Sequence, residues 1–285
     1  MNQPKTIHEL ELKSIQYRRK TLQIIKQAKA GHTGGSLSAV DILNVLYNRV
    51  MNVSPENFHD PDRDRFVQSK GHSVEALYVV LADQGFYPMA ALDTLNQFQS
   101  HFIGHPTRKV NGVEQNTGAL GHGLSLAVGM ALAAKKDGRS YRVFTLLGDG
   151  ELEEGSNWEA SMSAAHYGLD NLTVIVDYNT LQITGPIESV TGITRLPEKF
   201  AAFGYAVRQV DGNSIPALTA VFDQLPFAPG QPNLILAHTV KGKGVSFIEN
   251  QVGWHHRVPT DAEFAAALLE LDAAEQAWGR NNGSR

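Results

Sequence analysis

Apolar residues follow two rhythms along the chain. Between residues 6 and 29, Ile7, Leu10, Ile15, Leu22 and Ile25 share one stripe, the spacing of an amphipathic helix, and "AGHTGGS" breaks it off. A second helix is predicted from Leu37 to about Val50, and a third over "SVEALYVVLADQG", closed by Gly85. Between them "VSPENFHDPDRD" reads as a proline-rich charged loop and "RFVQS" as a short strand. From Tyr141 the rhythm changes. The runs "YRVFTLLGD", "NLTVIVDYN", "YAVRQVDG" and "PNLILAHTV" alternate with predicted helices over 156–167, near 196–203 and over 214–225. Near-continuous apolar strands separated by helices predict an α/β fold, a doubly wound, mostly parallel sheet with helices on both faces. A glycine-rich stretch, "KGKGVSFIENQVGWHHRVP", leads to a last helix, where Thr260 and Glu263 have the form of a capping box. No repeat, low-complexity tract or linker interrupts the pattern, so a single domain over residues 1–285 is expected.

In such a sheet, ligands bind beyond the carboxyl ends of the strands. Asp149, in "GDG", ends one predicted strand, and Asn179, in "YNT", ends the next, thirty residues on. Either alone reads as an ordinary turn, because Asp, Asn and Gly are common turn residues. Together they offer two hard oxygen ligands one strand–helix–strand unit apart. That suits magnesium, which keeps one or two protein oxygens and takes phosphate oxygens for the rest. The phosphate is not that of a P-loop nucleotide, since no GxxxxGK[ST] stretch occurs. "GHGLSL" has Leu126 in place of the third glycine of a dinucleotide fingerprint and follows no apolar strand, which argues against a nicotinamide cofactor.

Histidines add a second signal. His32 in "GHTGG", His72 in "SKGHS", His105 in "IGHPT" and His255 in "GWHHR" sit in glycine-rich or irregular stretches, where backbone and imidazole can both approach a ligand. His101 and His105 have the i, i+4 spacing of a zinc helix, but Gly104 and Pro106 would break that helix, so zinc is not expected. Residues 99–123 form a stretch too long and too glycine-rich to be a plain connector, and long loops within compact domains tend to carry function.

The totals narrow the class. With 285 residues, a net charge of −4 and no basic stripe, the chain can bury a sizeable core and offers nothing for nucleic acid or an anionic membrane to hold. The absence of cysteine removes disulfides, thiolate metal sites and cysteine nucleophiles. With no apolar run near the roughly 18 residues of a membrane span and no signal-peptide core, a cytoplasmic location is expected.

"GHTGGSLSAVDIL", "QSKGHSVEALY", "IGHP", "NTGALGHGLSLAVGMALA", "GDGELEEGSNWEA" and "VDYNTLQITG" resemble, in that order, the amino-terminal half of transketolase, over residues 10 to 265. The resemblance implies the diphosphate-binding (PP) domain of the thiamine diphosphate enzymes. Asp149 and Asn179 would ligate magnesium or calcium through side-chain oxygens, and Leu181 through its carbonyl. Gly150 would give its N–H to the diphosphate, with His72 and His255 near its oxygens, and Gly118 and Leu120 would contact the aminopyrimidine. His32, His105 and His255 would line the donor-sugar channel and move protons, and Glu154 and Glu159 would belong to a path linking two active sites. Glu151 and Glu153 have no such counterpart and read as a solvated, acidic helix start. Thr33 and His122 depart from the family, which usually has proline and glutamine there.

Length is the larger departure. Transketolase is more than twice as long, and its second half supplies the pyrimidine-binding domain. The expectation is therefore the diphosphate-binding subunit of a split transketolase, completed by a separate carboxy-terminal subunit, as an α2β2 heterotetramer transferring a ketol unit from a ketose phosphate to an aldose phosphate. A divided deoxyxylulose-phosphate synthase, toward which "KGKG" and "GWH" lean, shares GDG…N, as does the alpha subunit of a 2-oxo acid dehydrogenase. A non-catalytic magnesium-diphosphate module regulating a partner is the alternative of another class.

Overall fold

In the computed structural model, which describes residues 4–282, five parallel strands form one sheet in the order β1-β2-β3-β5-β4. They are β1 (Arg65–Gln68), β2 (Val143–Gly148), β3 (Leu172–Tyr178), β4 (Ala206–Asp211) and β5 (Asn233–His238). The parallel register runs unbroken across the sheet, with Gln68 beside Leu146, Leu146 beside Ile175 and Ile175 beside Ile235. The outermost residues 1–3 and 283–285 of the expected single domain lie outside the described residues.

Strand alternation sorts the core onto two faces. On one, Phe144, Leu146, Ile175 and Ile235 pack against α1 (Ile7–Ala28), α2 (Thr33–Val45), α3 (Val74–Asp83) and α8 (Ile215–Phe222). On the other, Val143, Leu147, Val174, Val176 and Leu234 pack against α4 (Gly123–Lys136), α5 (Gly155–His166) and α7 (Leu196–Ala202). A one-turn helix, α6 (Ile187–Val190), precedes α7, and α9 (Asp261–Asn282) lays Ala267 and Leu271 against Leu22 and Leu37. The expected cap of α9 is formed: Glu263 N–H donates to Thr260 Oγ1 at 3.2 Å and Thr260 N–H to Glu263 Oε2 at 2.8 Å.

Two expectations need correcting. The second helix begins at Thr33, not Leu37, and runs through Gly34 and Gly35 before a π-helical turn over Leu46–Val50. Gly34 is accepted there because the helix start presses on other chain segments. A Cβ at Gly34 would lie 2.8 Å from the Trp254 carbonyl oxygen and 3.1 Å from Lys241 Cγ. Thr33 Oγ1 donates to the Arg257 carbonyl at 2.6 Å, tying the same turn to the loop that carries His255. Second, β4 is not an apolar strand: it is the sheet edge, and Arg208 and Gln209 are exposed.

Candidate active site

Four strand ends open on one cavity of about 270 Å³, lined among others by His32, His72, Gly118, Leu120, Asp149 and Asn179. β1 feeds Lys70 and His72 into it, β2 Asp149 and Gly150, β3 Asn179 and Leu181, and the turn after β5 Lys241, with His255 arriving from the loop beyond. The parallel register explains the convergence. Gly148 lies beside Asp177, so the residues that follow β2 and β3 leave the sheet side by side.

Asp149 is buried, and its oxygens accept the N–H groups of Gly150, at 2.8 Å, and Thr180. The Gly150 N–H expected to meet a diphosphate thus serves this carboxylate. Burial, reinforced by the nearby charge of Asp177, raises Asp149 to about 6. Asn179 Oδ1 accepts the Leu181 N–H at 3.2 Å, and the Leu181 carbonyl accepts Lys241 Nζ at 2.8 Å. A carboxylate, an amide oxygen and a backbone carbonyl on one wall form the hard-oxygen donor set a magnesium ion prefers. A carboxylate raised by burial and by a neighbouring carboxylate is a group whose charged form such an ion would stabilise.

Two lysines missed in the sequence reading supply the remaining charge. Lys70 is fully buried, and its ammonium pairs with Asp177 and donates to the Gly35 carbonyl at 3.1 Å. Burial alone would raise Asp177, but Lys70 and the hydroxyls of Ser38 and Thr239 hold its carboxyl below the ordinary value. Lys241 is also buried, which lowers it to about 8. Both lysines follow β1 or β5 within a few residues, so the strand-end rule that selected Asp149 and Asn179 could have found them in "SKGH" and "VKGKG". Cations, hard oxygens and a cavity at strand ends fit a magnesium-bound diphosphate.

The imidazoles form one cluster. His32 is central, its ring centroid 4.5 Å from that of His256, 5.2 Å from His72, 5.7 Å from His255 and 6.2 Å from His105. Burial first, then neighbouring rings and lysines, lowers His32 to about 4 and His255 to about 3; His72 and His105 are lowered as well. All four are neutral near pH 7, able to donate at one nitrogen and accept at the other. Gly118 lets His105 in: its φ is +132°, and a Cβ there would lie 2.5 Å from His105 Cδ2.

Beneath His32 lies Glu75, fully buried and outside the sequence expectations. Its Oε1 accepts the His32 N–H at 3.2 Å and its Oε2 the Ser36 hydroxyl at 2.8 Å, across the first turn of α2. Burial raises it to about 7.

The acidic run after Asp149 divides differently from expectation. Glu151 is not solvated but buried, accepting the Gly121 N–H at 2.9 Å, the Gly148 N–H at 3.0 Å and the Ser69 hydroxyl. It thereby ties together the loops after β1, before α4 and after β2. Glu153, half-buried, accepts from Gln182 and Thr191. Glu154 and Glu159 do not line the cavity; both are exposed, at and within the start of α5.

Residues 11–279 match the family described as transketolase, thiamine diphosphate binding domain. The chain is 45% identical over 278 residues to a protein of Phocaeicola vulgatus named as one of the subunits of an apulose-4-phosphate transketolase, covering 97% of this chain and 99% of that one. It is 41% identical over 256 residues to the 6-deoxy-6-sulfo-D-fructose transketolase subunit SqwG of Clostridium sp., covering 90% and 93%. Against human transketolase the identity is 40% over 251 residues, 88% of this chain but 40% of that one. The solved transketolase of Campylobacter jejuni superposes with a TM-score of 0.82 at 28% identity, covering 98% of this chain and 48% of that one. The chain therefore spans less than half of these longer transketolases and nearly the whole of the relatives named as subunits. On the family match, the cavity and the identity to its relatives, the chain belongs to the transketolase family, as its thiamine diphosphate-binding domain.

Proposed function

We propose that this chain is the thiamine diphosphate-binding subunit of a two-chain transketolase, transferring a two-carbon ketol unit from a ketose phosphate to an aldose phosphate. The observation that carries the reading is the meeting of hard oxygens, buried lysines and neutral imidazoles at the ends of β1, β2, β3 and β5. Asp149, Asn179 and the Leu181 carbonyl would hold magnesium or calcium, and Lys70, Lys241 and His72 face the space a diphosphate would fill. Thiamine diphosphate supplies, when bound, a thiazolium ring that stabilises negative charge on the carbon being transferred. Gly118 and Leu120 bound the cavity where its other ring would enter. His32, His105 and His255 would exchange protons with the hydroxyl and carbonyl oxygens of the sugar, a task for which neutral rings are suited.

The names of the relatives, each a subunit, suggest a second chain; in our reading it is a carboxy-terminal subunit that would complete the site in an α2β2 assembly. Glu154 and Glu159, exposed on α5, would then meet the other half of the enzyme. A cytoplasmic location fits a chain without cysteine, and no described helix is long and apolar enough to cross a membrane. The test is reconstitution. The chain is mixed with magnesium, thiamine diphosphate and the candidate partner, and ketol transfer is followed by a coupled assay. Transfer should need both chains; a normal rate from this chain alone refutes partner dependence, and failure to bind thiamine diphosphate refutes the reading.

A further inference from the structure

We propose that Lys241 is a positioning residue that holds His255 as its Nε2–H tautomer, making it a hydrogen-bond donor to any oxygen that enters the cavity. Lys241 Nζ lies 2.9 Å from His255 Nδ1 and 2.8 Å from the Leu181 carbonyl oxygen. An ammonium carries only donors. Its contact with Nδ1 therefore requires a lone pair on that nitrogen, and a neutral imidazole then carries its single proton on Nε2. No hydrogen bond from a described residue reaches Nε2, so it is the nitrogen left for a ligand.

The contact is built, not incidental. The Lys241 stem is pinned by the start of α2, where a Cβ at Gly34 would lie 3.1 Å from its Cγ and 3.3 Å from its Cε. Gly242 N–H donates to the Gly34 carbonyl at 2.9 Å, fixing the turn that carries Lys241. The His255 ring is held from the other side by His72, stacked at 5.3 Å and 24°, and by the edge of His32 at 5.7 Å. Ring and ammonium are each fixed by packing, so the proton placement follows.

Its meaning for ketol transfer rests on the function proposed above, and there it divides the labour. Of the proton exchange assigned to it above, His255 keeps only the donor's part: it can give a hydrogen bond to a substrate or diphosphate oxygen at Nε2 but cannot accept a proton at that atom. Acceptance falls to His32 or His105, to whose rings neither Lys70 nor Lys241 hydrogen-bonds.

The test reads the two ring nitrogens directly. The full chain is labelled with nitrogen-15 in its histidines, and long-range proton–nitrogen correlation spectra are recorded near pH 6.5, where Lys241 is charged and His255 neutral, with His255 assigned by its loss in His255→Gln. The wild type should show a bare, pyridine-like Nδ1 and a protonated Nε2. Lys241→Met keeps the stem and removes the donor, so the pattern should move toward Nδ1–H; Lys241→Arg should preserve it. A protonated Nδ1 in the wild type overturns the proposal, as does an unchanged pattern in a folded Lys241→Met. A purely structural lysine would lower stability without moving these signals, and if Lys241→Met does not fold, the wild-type spectrum decides. The spectra need neither cofactor nor partner. Loss of the functional reading would therefore leave the tautomer standing, and the wrong tautomer would leave ketol transfer standing.

Discussion

Glu75→Gln isolates the cost of ionising one buried carboxyl beneath the candidate site. Glu75 is fully buried, pairs with no Lys or Arg among the described residues, and is raised by burial from 4.5 to about 7. Each pKa unit corresponds to about 1.4 kcal/mol, so the fully developed penalty is about 3 kcal/mol. A folded-state value above the unfolded one means that the folded chain holds the proton more tightly. The stability this contributes is complete below the unfolded value of 4.5 and is lost as pH rises through about 7. Linkage puts the loss at about 1 kcal/mol near pH 5 and about 3 kcal/mol near pH 8. Glutamine keeps an oxygen for the His32 N–H and does not titrate. Urea unfolding of wild type and variant near both pH values gives a double difference in which every other titrating group, and the fixed change in hydrogen bonding, cancels. The variant should gain about 2 to 3 kcal/mol on the wild type between the two conditions. A double difference near zero, or a wild type that gains on the variant as pH rises, would refute the reasoning.

Other expectations follow from the same contacts. Glu151→Ala leaves two backbone N–H groups and the Ser69 hydroxyl without their buried acceptor. At about 1–3 kcal/mol for each, it should lower stability by about 3 kcal/mol or more and weaken thiamine diphosphate binding, checked by denaturation and calorimetry. Lys70→Met strands the Asp177 carboxylate in the core; a loss of about 3–5 kcal/mol in urea is expected. Gly118→Ala puts a methyl group 2.5 Å from His105 Cδ2 at a φ of +132°, so ketol transfer with the partner should fall and the thermal midpoint drop, by strain of about 1–3 kcal/mol.

The sheet was legible because burial on both faces leaves its signature in the central strands: "FTLLG" and "TVIVD" allow little else. The strand-end rule then led directly to Asp149 and Asn179, which need only a parallel register to meet. Glu151 was not legible, because what makes it buried lies far along the chain. Its partners Ser69 and Gly121 are 82 and 30 residues away, and next to Glu153 and Glu154 its local context is that of a solvated turn. Gly34 and Gly35 misled for a related reason. Their low helix propensity argues for a break, yet the helix runs through them, with Gly34 packed closely against Trp254 and Lys241, more than two hundred residues later. Glu75 hid within an apolar helical stretch, and only the turn resting on it shows why a carboxyl stands there.

The exposed outer strand has a consequence for the life of the chain before it assembles. A sheet of parallel apolar strands whose last member ended in bare backbone would invite a second sheet to add to it, and a chain still waiting for its partner would be open to that fate. β4 is the least buried strand of the five. Arg208 and Gln209 are exposed along it, with the Arg208 guanidinium 5.0 Å from the centre of the Phe227 ring. At the opposite edge, β1 is only four residues long. A charged edge and a short one both discourage edge-to-edge stacking, so neither side of the sheet readily takes on a further strand.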